Sequence, residues 1–137
     1  KMENNDIITG YKIMRLTEGK ICSLASDTHK FNAEIDVDIT MEGRGVWLST
    51  NKDFVIDYYS NPDEEDEVLV TLEFNKNDIT GGNLEDREPV ITVPSVTVKN
   101  IQQVLDGEIL NIESKLDSDM TKFITPQKEN KIKSPKQ

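Results

Sequence analysis

Cysteine is almost missing from this chain. Cys22 is the single one in 137 residues, so no internal disulfide forms, and a reducing compartment fits the sequence. Histidine is equally scarce, and His29 with Cys22 falls well short of the about four N/S ligands that a zinc site needs. No run approaches the ~20 apolar residues of a membrane span. No basic segment leads into an apolar one, so no signal peptide is expected within these residues. A Gly-x-Ser-x-Gly elbow is absent, and Cys22 and His29 stand seven residues apart in a polar stretch, which argues against serine- or cysteine-type catalysis. Phosphate loops are lacking too. Gly43-x-Gly45 has neither the third glycine nor the lysine, and Gly81-Gly82 leads into no helical pattern. Positive charge is in short supply: 16 Lys and Arg against 26 Asp and Glu leave −10, which excludes a general affinity for nucleic-acid phosphates. The acidic run Asp63–Glu67 lacks the fixed offsets and central glycine of an EF-hand loop, so it reads as a solvated turn rather than a metal site.

What is present is an acidic body with a basic end. Residues 1–9 carry −1 and residues 125–137 carry +3, which leaves −12 on residues 10–124. The expected organisation is an N-terminal tail over 1–9, an α+β domain over 10–105, an amphipathic helix over 106–124 and a basic, disordered tail over 125–137. That last tail is either a solvated terminus or an arm for an acidic surface. There is no internal repeat.

Strand period appears first in Gly10–Leu16, where Tyr11, Ile13 and Arg15 alternate with Lys12, Met14 and Leu16. Glu18-Gly19 then closes a hairpin into Ile21–Leu24. Glu34–Thr40 reads as a half-buried strand, with Ile35, Val37 and Ile39 on one face and Glu34, Asp36 and Asp38 on the other. Val46-Trp47-Leu48 reads as a short buried strand behind Gly43 and Gly45. Ser49 or Thr50 is expected to cap a helix over about 51–60, with Phe54, Val55, Tyr58 and Tyr59 on one side. Val68–Phe74 is the strongest strand and is predicted to be central. A polar loop over 75–88 follows, then strands near 90–93 and 96–99 separated by Pro94. Ile109, Ile112, Leu116, Met120 and Phe123 step by 3, 4, 4 and 3, the spacing of an amphipathic helix. Docking of that helix on the sheet is preferred to a short coiled coil. Six or seven short strands with one internal and one C-terminal helix point to a mixed, mainly antiparallel α+β fold.

One constellation carries chemistry. Arg15, the Ser49-Thr50 pair and Asp86-Arg87-Glu88 come from three separate strands and could meet in one cleft. There an arginine would clamp a pyrophosphate, a hydroxyl would orient it and a glutamate would stabilise a developing sugar cation. The alternative is that Arg15 pairs with a surface carboxylate, Ser49 caps a helix and 85–88 is a charged loop.

The order Arg15, Gly43-x-Gly45-Val46-Trp47-Leu48-Ser49-Thr50, Asp86-x-Glu88 before a hydrophobic strand resembles the Arg-Ser-Glu class of ADP-ribosyltransferases. About residues 10–104 also resemble small proteins encoded by bacteriophages and prophages. The resemblance implies a split, mixed β-sandwich that binds NAD, needs no metal and transfers ADP-ribose to a host protein in the bacterial cytoplasm. It implies Arg15, Ser49, Thr50 and Tyr58 as cofactor contacts, Glu88 as the catalytic carboxylate and Asp86 as the acceptor-selecting residue. Asn51 replaces the motif's third hydroxyl, Asp86 its first glutamate, and Pro89 follows Glu88 directly. The other reading is a non-enzymatic acidic phage protein, structural or host-defence-inhibiting and in the virion or the host cell, that binds a protein partner through its surface.

Overall fold

In the computed structural model, residues 6–24, 29–43, 45–61, 63–105 and 108–111 are described. Antiparallel strands dominate, with one α-helix among the described residues. β1 (Ile7–Thr17) and β2 (Lys20–Ser23) form the hairpin that Glu18-Gly19 announces. Both turn residues have positive φ, 52° and 80°, as a two-residue turn matched to strand twist requires. β3 (Lys30–Asn32) extends this hairpin. β4 (Asp38–Thr40), β5 (Val46–Leu48) and α1 (Lys52–Tyr59) follow, then β6 (Glu67–Asn75), β7 (Ile91–Val93), β8 (Ser95–Leu105) and β9 (Glu108–Asn111).

The main sheet runs β3-β2-β1-β6-β8-β4, with β9 also on β8, while β5 and β7 make a separate two-stranded ribbon. β6 lies between β1 and β8, and residues 67–70 are buried without alternation because both faces of the sheet are covered there. One face holds Met14, Leu16, Val68, Val70 and Leu72 against the β5–β7 ribbon (Val46, Leu48, Ile91, Val93). On the other, Ile13, Leu69 and Val104 take Val55 of α1. A bulge lets β8 serve both faces. Thr71 pairs with Asn100 and Leu72 with Val98, so Lys99 is the extra residue. Val98 therefore packs with the ribbon and Val104 with the helix.

Two glycines fix how the ribbon seats. Gly45 (φ 86°) enters β5, where a Cβ would lie 2.8 Å from the Val93 carbonyl oxygen. Gly82 (φ 86°) passes so close to the Val90 carbonyl oxygen that a side chain would collide with backbone.

Four expectations change on the structure. The strand expected over 34–40 is confined to Asp38–Thr40. Asp36 takes a left-handed φ of 69° and Ile35 is half exposed, because the chain turns there to exchange backbone bonds with Val98. Asp36 then pairs with Lys99 at 2.7 Å and Asp38 accepts from Thr97 Oγ1 at 2.8 Å, so this acidic face is partly engaged within the fold. The N-terminal tail ends sooner than residue 9, since β1 starts at Ile7 and pairs it with Asn75. The helix expected from 106 is replaced over 108–111 by β9, and the rest of its stripe (Ile112, Leu116, Met120, Phe123) lies outside the described residues. The helix cap is Asn51, not Ser49 or Thr50. None of the described helices is long and apolar enough to cross a membrane.

Candidate functional site

The edge of β1 is divided between two partners. From Met14 onward it pairs with β2, and at Tyr11 it forms a bridge with Ser49, the residue that follows β5. Tyr11 N–H donates to the Ser49 carbonyl at 2.7 Å and Ser49 N–H to the Tyr11 carbonyl at 3.1 Å. Between these pairings β2 and β5 diverge, and a cleft of about 260 Å³ opens over Lys12 and Ile13. Ser23 and Leu24 form one bank, Trp47, Leu48 and Ser49 the other. Val55 and Tyr59 of α1 and Val90, just before β7, close it.

The polar content of this cleft is small and specific. Lys12 Nζ donates to the Trp47 carbonyl oxygen at 2.8 Å. Burial among apolar groups lowers the Lys12 ammonium from its ordinary value to about 8. Tyr59 is pushed up by burial and then by its neighbour Tyr58. Phe54, Tyr58 and Tyr59 form a cluster, with Phe54 stacked on Tyr58 at 5.4 Å and Tyr59 edge-on to both. Trp47 is 47% exposed, so the large aromatic wall faces solvent as well as the cleft.

Ser49 is the sequence-derived site residue that lines the cleft, and it is buried. Its Oγ accepts the Asn51 backbone N–H at 3.1 Å, which shapes the entry to α1. Asn51 Oδ1 caps the helix by accepting from Phe54 N–H at 3.0 Å, and its Nδ2 donates to the Arg87 carbonyl at 3.2 Å. That last bond ties the Asp86–Glu88 loop to the Ser49 segment. Asn51→Ala is expected to cost about 1 kcal/mol in urea unfolding, the usual worth of such a cap, and to release this loop.

The other named residues are not among those that line the cleft. Thr50 is partly buried at the bend beside Ser49. Asp86 and Glu88 are exposed on the loop before β7. Tyr58, 71% exposed, lies on the outer side of α1, so the one-sided helix face of the sequence reading is split. Arg15 lies farther along β1, where its Nε pairs with Asp66 at 3.1 Å. The structure thus brings the Ser49 and Glu88 segments together and holds Arg15 against a carboxylate. Lys12 is the site residue that sequence reasoning passed over. Its signal was its place in the alternation, on the side of Met14 and Leu16. Among the described residues, no group of three His, Cys, Asp or Glu gathers as a metal site.

Compared with known proteins, the chain matches no family model, no curated protein and no solved structure.

Proposed function

We propose that the chain is an ADP-ribosyltransferase-like domain that takes the nicotinamide end of NAD into the cleft between β1 and β5. In this reading the main sheet and the β5–β7 ribbon are the halves of a split β-sandwich. The observation that carries it is the tie between segments: Ser49 is bridged to β1, and Asn51 holds the Arg87 carbonyl beside Glu88. At about 260 Å³ the cleft lies just below the ~300–1,000 Å³ typical of small-molecule sites. That suits one ring and its sugar, with the adenosine half of the dinucleotide lying outside.

The chemistry follows from the charges. Nicotinamide departs with the electron pair of its glycosidic bond, leaving a cationic ribosyl carbon. The Glu88 carboxylate holds the ribose hydroxyl and stabilises that charge. A nucleophilic side chain of a host protein then bonds to the carbon and gives up its proton. Ser49 keeps the pocket wall in place through its bond to Asn51, and Asp86 stands on the acceptor side.

Nicotinamide release from NAD, measured with bacterial host proteins as acceptors, tests this. The wild-type chain is expected to release it, and Glu88→Gln to lower the rate by about a hundredfold or more at unchanged thermal midpoint. A Glu88→Gln variant as active as wild type would overturn the reading.

A further inference from the structure

We infer that Lys12 is the anion-binding group of the cleft and that it receives a phosphate oxygen of the bound dinucleotide. The inference deepens the reading above and rests on the same cleft. An ammonium carries three N–H donors. One is spent on the Trp47 carbonyl, at 2.8 Å, and that is a neutral acceptor. Among the described residues no carboxylate lines the cleft. Its titratable side chains are Lys12 on β1, Tyr11 on the same strand and Tyr59 on α1. Arg15, by contrast, already faces Asp66 at 3.1 Å, and Lys99 already has Asp36 at 2.7 Å. Lys12 is therefore a half-buried cation in a mostly apolar cleft, with no carboxylate partner among the described residues. A group so placed raises the energy of the unliganded state, and an entering anion removes that penalty while gaining a charge-assisted bond.

The position fits a phosphate rather than a metal or a second cation. Lys12 sits on the floor where β2 and β5 part, next to the bank formed by Trp47 and Ser49. A ring lodged against Trp47 would leave its anionic substituent within reach of the amine. Binding would also restore the charged form of Lys12, so above pH 8 each ligand bound should take up a fraction of a proton.

Calorimetry of the full chain with NAD, inorganic pyrophosphate and uncharged nicotinamide separates the possibilities. Lys12→Met is expected to weaken NAD and pyrophosphate by about tenfold or more, with nicotinamide binding kept, and Lys12→Arg to recover most of the loss. Lys99→Met, which alters a cation outside the cleft, should bind all three as wild type does. For the wild type at pH 8.5, heats in buffers of different ionisation enthalpy should reveal proton uptake. If Lys12→Met binds NAD and pyrophosphate at wild-type strength, the inference is overturned while the NAD reading stands. If Arg15→Gln alone loses them, the role returns to Arg15 and the inference again falls. Pyrophosphate binding that depends on Lys12, with no binding of NAD or nicotinamide, would keep the inference and remove the NAD reading. Failure of all three probes in the millimolar range would overturn both.

Discussion

Glu67→Ala is expected to cost about 3 kcal/mol of folding free energy, the largest loss among the substitutions considered. Glu67 opens β6, is 2% exposed, and pairs across the ladder with Arg15. Its carboxylate accepts from Ser60 Oγ at 2.9 Å and from Asn61 N–H at 3.0 and 3.2 Å. Those donors lie just past the last turn of α1, whose C-cap is Ser60. An eight-residue helix has little stability of its own. It stays on the sheet because Val55 is buried there and because Glu67 holds its end. Truncation removes a charge-assisted acceptor, strands two donors and leaves a void. Urea unfolding should show a midpoint lower by about 1 M or more, and Glu67→Gln, which keeps the shape and one acceptor, should lose markedly less. A Glu67→Ala midpoint equal to wild type would mean that α1 does not depend on this anchor.

Lys12→Met is expected to do the opposite and stabilise the fold at neutral pH, by about 2 kcal/mol. In the folded chain Lys12 titrates near 8, below its ordinary 10.5. Below pH 8 both states carry the proton, and the folded state bears the cost of desolvating it. The full difference corresponds to about 3 kcal/mol. Partial exposure and the bond to the Trp47 carbonyl reduce it. Between pH 8 and 10.5 the unfolded chain binds a proton that the folded chain does not, so wild-type stability gains relative to the variant as pH rises. The advantage of Met should therefore be complete at pH 7 and nearly gone at pH 10.5. Paired urea titrations at the two values check it. A variant less stable than wild type at pH 7, or one with the same advantage at both, would contradict the burial cost. Lys12 fits a binding role because a residue retained only for stability would not carry that cost.

Local chemistry made much of the fold readable. Glu18-Gly19 specified the first hairpin, and the apolar-rich run at 68–74, interrupted only by Thr71 and Glu73, gave the central strand. Pro94 marked the break between β7 and β8. What escaped depended on partners distant in sequence. Ile35 and Asp36 alternate like a strand, yet their place is a turn dictated by the backbone of Val98 on β8. Gln102 and Gln103 look too polar for a strand, but β8 continues through them because β6 and β9 pair with it on both sides. The helical spacing of Ile109, Ile112, Leu116, Met120 and Phe123 pointed to a helix from 106, whereas 108–111 pairs with β8 as β9. At the site, Ser49 was legible through its place after Val46-Trp47-Leu48. Asn51 was not, because Ser, Thr and Asn are near-equal caps and only the bond to Arg87 distinguishes it. Lys12 was visible as a lysine in an apolar register, but that no carboxylate among the described residues lines its cleft emerges only from the packing of β2, β5 and α1 around β1.

Trp47 makes the central claim directly measurable, since it is the chain's single tryptophan and lines the cleft. Its emission should report occupancy without any label. Titration with NAD is expected to change Trp47 emission saturably, with a midpoint below the millimolar range, and free nicotinamide should reproduce part of the change. NAD that binds by calorimetry yet leaves Trp47 emission untouched, or that does not bind at all, would contradict the account.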